Sequence, residues 1–156
     1  MDKPFYSRNF TVNYLEKDEN LWNLTSYLKD NTHEIKVQLD ILVSDMIIKN
    51  ANVDFLKYPM ESCLLIKAKI EEVIGLCLYD DFSDKVRQLF LGGSGCSNVM
   101  HLLGISAPAI IYFYHTEQIK RGNMNHRQWW NFVITKLTNA CIAHKMLLEK
   151  YKKQKY

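Results

Sequence analysis

From Ile35 to Val43 every second residue is apolar: Ile35, Val37, Leu39, Ile41 and Val43 alternate with Lys36, Gln38 and Asp40. A period of two puts one set of side chains on each side of a pleated strand, so this segment has one dry face and one wet face and requires a cover on the dry side only. Phe10, Val12 and Tyr14 alternate in the same way, and Trp22, Leu24, Ser26 and Leu28 do so more weakly. Glu16-Lys17-Asp18-Glu19-Asn20 and Lys29-Asp30-Asn31-Thr32 separate these runs, and their Asp and Asn residues suit hairpin turns. A turn at Ser44-Asp45 leads into a further strand over Met46–Phe55. Short strands joined by short turns predict an antiparallel β-meander of three to four strands over about residues 5–55.

At Tyr58-Pro59 the period changes. Pro59 suits a first helical turn and Glu61 suits the positive end of its dipole. Cys63, Leu64, Ile66, Ile70, Val73 and Ile74 follow at helical spacing, with Gly75 as a stop, which predicts an α-helix. A brief helix capped by Ser83 or a neighbouring Asp should end before Gly92-Gly93. Val99–Tyr114 reads as a helix kinked or broken by Gly104 and Pro108. A last helix is expected from about Asn125 to Lys150, with Trp129, Phe132, Val133, Leu137, Cys141 and His144 along one stripe and the chain fraying beyond it. The fold class expected is α+β: the meander packed on one face by C-terminal helices over about residues 59–150.

The length of 156 residues and the 47% hydrophobic content suit one domain over residues 1–156 and argue against disorder. No apolar run is long enough to span a bilayer, and Met1-Asp2-Lys3-Pro4 lacks the apolar stretch of a signal peptide, so a cytoplasmic location is expected. The net charge of +3 hides an asymmetry. Residues 120–156 hold nine Lys or Arg against Glu149 alone, a balance of +8, which leaves −5 for the remainder. On the last helix, Arg127, Lys136, Lys145 and Lys150 are therefore candidates for docking an acidic protein or a nucleic acid, with Trp129-Trp130 as a stacking surface. A homo-oligomer is a further option if aromatic side chains are exposed.

Cys63, Cys77, Cys96 and Cys141 have no CxxC spacing and are expected to be free thiols, Cys77 and Cys141 in the core. Cys96 stands apart because it follows Gly92-Gly93-Ser94-Gly95 at a helix start, where the dipole favours thiolate. Cys63 shares that position on its own helix, and His33 lies beside a turn. His33, Cys63 and Cys96, with His101 as a fourth donor, form a set chemically suited to zinc or an iron–sulfur cluster. The spacings are not a known ligand pattern, and each residue has an ordinary structural alternative. A Cys/His pair for nucleophilic chemistry is the enzyme reading of the same residues. The glycine loop matches neither a P-loop nor a dinucleotide fingerprint.

Taken together, Asp18 with Leu21-Trp22, Leu28-Lys29-Asp30, His33, the Pro59 to Cys63 helix start, Gly75 and Gly93-Ser94-Gly95-Cys96 resemble the bacterial domain of unknown function family 2889 over roughly residues 5–115. That resemblance implies that His33, Cys63 and Cys96 belong together and implies no activity. Family members commonly continue from Gly-Cys into a small residue and a His, where this chain has Ser97-Asn98, with His101 one helical turn further on. The arrangement is also similar, in topology alone, to iron–sulfur scaffold proteins of the IscU/NifU kind. The resulting expectation is an accessory protein holding a metal, a cluster or a sulfur-linked group. The alternatives are a non-catalytic binding module and a cysteine-dependent enzyme.

Overall fold

In the computed structural model, which describes residues 4–137 and 140–153, the alternating segments form four strands. They are β1 (Asn9–Glu16), β2 (Leu21–Lys29), β3 (Glu34–Leu42) and β4 (Ile47–Lys57), in a single antiparallel sheet of order β1-β2-β3-β4. The turns form for the reason their composition suggests. Asp18 Oδ1 accepts from the backbone N–H groups of Asn20 at 2.9 Å and Leu21 at 2.8 Å, closing the β1–β2 turn through its own side chain. Leu24, Leu28, Ile35, Val37, Leu39, Ile41, Ile48 and Val53 are buried on one face. In β4 the strict period breaks: Asp40 pairs with Asn50 and Ile41 with Ile48, so Lys49 is the extra residue of a β-bulge.

The segment expected to be one α-helix after Pro59 is instead mostly 3-10 helix. Turns at Glu61–Leu65 and Ile70–Val73 flank only four α-helical residues, α1 (Ile66–Lys69). Met60, at the cap position, offers no side-chain hydrogen bond, and the β-branched Ile66, Ile70 and Val73 weaken a short helix further. Those three side chains do form the buried stripe, packing against β4, whereas Ile74 turns extended and exposed before Gly75 at φ +85°. Two further helices follow, α2 (Phe82–Phe90) and α3 (Ser97–Ser106). Asp81 holds the cap position of α2 at φ 50°, but its side chain makes no cap bond. α3 covers β2 and β3, and α2 packs on α3, so helices occupy one face of the sheet.

Gly104 is absorbed within α3, and the predicted break falls at Ala107-Pro108 before α4 (Ala109–Lys120). Ile110 N–H bonds to Ala107 rather than to Ser106, and the released Ser106 carbonyl accepts from the Tyr14 hydroxyl at 2.7 Å. That phenol, pushed up to about 12 by burial, fastens the edge strand β1 to the end of α3.

The chain divides into two compact units, one ending at Ile111 and the other running from Tyr112, with α4 continuing from the first into the second. The second unit also contains α5 (His126–Lys136) and α6 (Ile142–Lys153). Asn125 opens α5 with a capping box: its side chain accepts from Gln128 N–H at 2.9 Å, and Gln128 Oε1 accepts from Asn125 N–H at 2.8 Å. The single last helix expected from Asn125 to Lys150 is therefore two. Leu137 leaves helical geometry, and the Thr135 hydroxyl already bonds back to the Asn131 carbonyl at 2.8 Å, a competition that weakens the end of a helix. His144 Nδ1 on α6 donates to the carbonyl of Leu137 at 3.1 Å. Of Lys150–Tyr156, expected to fray, residues 150–153 instead continue α6, and residues 154–156 lie outside the described residues.

Buried His115 lies in an aromatic cluster, with ring centroids 4.2 Å from Phe132 and 5.2 Å from Trp129. Burial pushes its imidazole below the ordinary histidine range. The unfolded chain then binds protons more readily, so stability in this unit should be intact above about pH 6.5 and fall as pH drops below it. Unfolding midpoints between pH 7.5 and 5, followed by tryptophan fluorescence, should show this decline in wild type and a flatter profile in His115→Phe. Equal slopes would contradict the assignment.

Candidate functional site

Asp30, whose side chain is fully buried at the end of β2, gathers polar contacts from the N-terminal segment and from the turn that follows β2. Its Oδ1 accepts from the backbone N–H groups of Thr32 and His33, both at 2.7 Å, so the residue folds the β2–β3 turn around itself. Its Oδ2 lies 2.7 Å from Arg8 Nη2 and accepts from Arg8 Nε at 2.9 Å. The third guanidinium nitrogen, Nη1, donates to Asn98 Oδ1 at 3.1 Å in the first turn of α3. Arg8 thus joins the N-terminal segment, the hairpin turn and a helix start. Burial alone would raise the Asp30 carboxyl, but the two amides, Tyr6 and Arg8 outweigh it and hold it well below the usual carboxylate range. Burial likewise opposes the charge on Arg8, but Tyr6 and Asp30 overcome it and hold the guanidinium above its ordinary value. A carboxylate this fully satisfied is a strut, and a poor general base.

The loop after α2 is shaped by close approach. Gly92 takes φ +92°, and at Gly95 a Cβ would lie 2.1 Å from the carbonyl oxygen of Phe90. The loop therefore folds flat against the end of α2 and delivers Cys96, half-buried and extended, to the cap position of α3. Its side chain makes no cap bond. His33 is half-buried with Nδ1 3.3 Å from Asp30 Oδ1. The ammonium of Lys57 donates to the carbonyl of Asn31 in the same turn. The structure thus connects the turn of His33 to the helix that follows Cys96 through the sequence Asp30, Arg8, Asn98. Cys63 is half-buried in the Glu61–Leu65 turn. His101 is exposed in a cleft of about 180 Å³ between α2 and α3, with Ser83, Arg87 and Ile105, while Asn98 is buried against Arg8, so the two do not share a direction. Among the described residues, no group of three or more His, Cys, Asp or Glu side chains is gathered as a metal site.

The two cysteines expected in the core are elsewhere. Cys77 is half-buried in an isolated bridge to Ile47, because the short segment after Gly75 pairs with the start of β4. Cys141 is exposed, because the helix that would have carried it on the buried stripe has already ended. Of the adjacent tryptophans, Trp129 packs against Tyr112, His115 and Phe132 while Trp130 is exposed, as a helical offset requires. Arg127 and Lys136 on α5 and Lys145 and Lys150 on α6 are all exposed.

The part missed by sequence reasoning is the Arg8–Asp30–Asn98 connection. Asp30 was visible as a turn residue, but no local spacing pairs residues 8 and 98.

Meander, one-sided helical cover and a turn bridged to a helix start define the chain as an α+β protein whose first unit is the sheet-and-helix body. The sequence profile of DUF2889, described as a protein of unknown function, matches residues 6–112, and the chain belongs to that family. No curated protein and no solved structure matches it, so the topological likeness to iron–sulfur scaffolds gains no support there. No helix among the described residues is long and apolar enough to cross a membrane.

Proposed function

We propose that the protein is a non-catalytic binding module that docks an acidic protein surface through α5 and α6. The observation that carries this reading is the mixture of exposed cations and exposed apolar side chains on these helices. Arg127, Lys136, Lys145 and Lys150 are exposed alongside Trp130, Ile142 and Met146. Ile142, Met146 and Lys150 follow one another four residues apart, which aligns them along α6. A purely cationic face would suit phosphates; cations interleaved with apolar groups suit an acidic partner with apolar anchors.

The test is photo-crosslinking from position 146 in cells, followed by reconstitution with the purified partner. An acidic protein should be captured, and Arg127→Glu, Lys136→Glu, Lys145→Glu and Lys150→Glu combined should weaken the reconstituted complex at least tenfold. Raising salt should weaken the wild-type complex as well. Capture of nucleic acid, or a complex indifferent to charge reversal, would overturn the reading.

A second reading assigns His33, Cys63, Cys96 and His101 to zinc, an iron–sulfur cluster or a sulfur-linked group, with a cysteine-dependent reaction as its enzymatic form. It is favoured by the Arg8 bridge, which ties the His33 turn to the helix opened by Cys96. Elemental analysis of protein purified without oxygen, compared with Cys63→Ala and Cys96→Ala, tests it. Near-stoichiometric metal lost in both variants supports it, and metal-free protein that also alkylates no faster at Cys96 than at Cys141 refutes it.

A further inference from the structure

The wet face of the meander carries more organised chemistry than a solvated surface needs. Strand register sets its side chains in cross-strand rows: Asn23, Asp40 and Asn50 in one, Thr25, Gln38 and Asn52 in the next, Tyr27, Lys36 and Asp54 in a third. Between the first two rows lies a concavity of about 280 Å³ lined by Lys17, Asn23, Gln38, Asp40, Asn50 and Asn52. The bulge at Lys49 increases the local twist of β4 beside it.

We propose that this face is a binding site for a neutral polyhydroxylated ligand, a saccharide by chemical class. Charge is the first reason. Lys17 is paired with Asp40 at 2.8 Å, and Lys36 stands opposite Asp54 in register, so the four charges cancel. A nucleic acid or phosphorylated ligand is favoured by a net positive face, and these rows together with Lys17 carry no net charge. An added peptide strand needs a sheet edge, and an apolar partner needs apolar surface; the concavity is neither.

Hydrogen-bonding capacity is the second. The amides around the rim hold one another in place: Asn23 Nδ2 donates to Asp40 Oδ1 at 2.9 Å, Thr25 Oγ1 donates to Asn23 Oδ1 at 3.1 Å, and Asn52 Nδ2 donates to Asp54 Oδ2 at 3.3 Å. Asp40 is accordingly held below the usual carboxylate range: burial would raise it, and bonds from Lys17 and Asn23 outweigh that. Gln38, in the middle row on β3, makes no side-chain hydrogen bond among the described residues. A primary amide offers a carbonyl acceptor beside two N–H donors, and two neighbouring sugar hydroxyls each donate and accept, so Gln38 can meet both at once. Tyr27, half-exposed one row further along β2, supplies an aromatic surface for the C–H face of a pyranose ring.

The experiment is affinity electrophoresis of the full chain through gels containing hydroxyethylcellulose, xylan, dextran, galactomannan or soluble starch. Retardation by at least one polymer is expected, insensitive to salt. It should fall at least tenfold in Gln38→Ala and in Asn52→Ala and be unchanged in Arg87→Ala, which alters the cleft between α2 and α3 instead. Gln38 and Asn52 face solvent at least in part, so both variants should keep the wild-type unfolding midpoint. Gln38→Glu, which preserves size but removes the donors, serves as the second variant and should also lose retardation. Mobility unaffected by all five polymers, retardation that survives the Gln38 substitutions, or salt-sensitive binding of single-stranded RNA at this face would overturn the proposal.

Discussion

Gly95→Ala is expected to cost about 2–4 kcal/mol, while Gly93→Ala, two residues earlier in the same loop, should stay within about 0.5 kcal/mol of wild type. The contrast comes from what each new Cβ would meet. At Gly95 it would fall 2.1 Å from the Phe90 carbonyl oxygen and 2.5 Å from the Phe90 Cα, and backbone at the end of a packed helix cannot move aside as a flexible side chain could. At Gly93 there is nothing within 4 Å and no positive φ. To relieve the clash the loop must lift away from α2, and Cys96 and the first turn of α3 are attached to it. Because Asn98 in that turn is held by Arg8, the disturbance should extend to the β2–β3 turn. Thermal unfolding measures the cost, with a midpoint shift of roughly 5–15 °C for a body of this size. Thiol alkylation gives a second readout: half-buried Cys96 should react faster in Gly95→Ala than in wild type or Gly93→Ala. Two alanine variants of equal stability would show that close approach is not what requires glycine at position 95.

Where the sequence was legible, the physics was local. A period of two over Ile35–Val43 needs no partner to be read, and neither does an Asp whose carboxylate closes its own turn, as Asp18 does. The break at Pro108 follows from one missing N–H. The failures have a common origin in competition between comparable terms. At 61–74 the apolar spacing found Ile66, Ile70 and Val73, which are buried, but it also included half-buried Cys63 and Leu64 and exposed Ile74, and spacing cannot distinguish α from 3-10 geometry in a short segment with a weak cap. Between α5 and α6 a continuous apolar stripe concealed a stop set by Leu137 backbone geometry and Thr135 back-bonding. His33, Cys63, Cys96 and His101 were individually conspicuous, yet their relation depends on contacts between residues far apart in the chain. Arg8 and Asn98, 90 positions apart, carry no mark of their pairing before the fold exists.

That long-range pairing should dominate the response of the first unit to mutation and acid. Removing Asp30 takes away two turn-closing bonds and both guanidinium contacts at once. Breaking a buried ion pair from one side commonly costs 3–5 kcal/mol, but the Arg8 side chain is 35% exposed and can be rehydrated, so about 2–4 kcal/mol is expected for Asp30→Ala. Asp30→Asn keeps an oxygen for the Thr32 and His33 amides yet faces Arg8 with a neutral group, and should cost less, about 1–3 kcal/mol. The pH dependence separates the charge from the turn. The folded carboxyl is held below its unfolded value of 3.8, so its stabilisation is fully present above about pH 4 and is lost as pH falls from there toward the folded value. The gap in unfolding midpoint between wild type and Asp30→Asn should therefore be constant from pH 7 to pH 5 and narrow below pH 4. Arg8→Leu should also lower the midpoint and should shift this acid transition upward, because the folded carboxylate loses its countercharge while retaining its two amides. A gap between wild type and Asp30→Asn that remains unchanged to pH 2.5 would mean that Asp30 acts through turn geometry alone and that Arg8 contributes nothing through its charge.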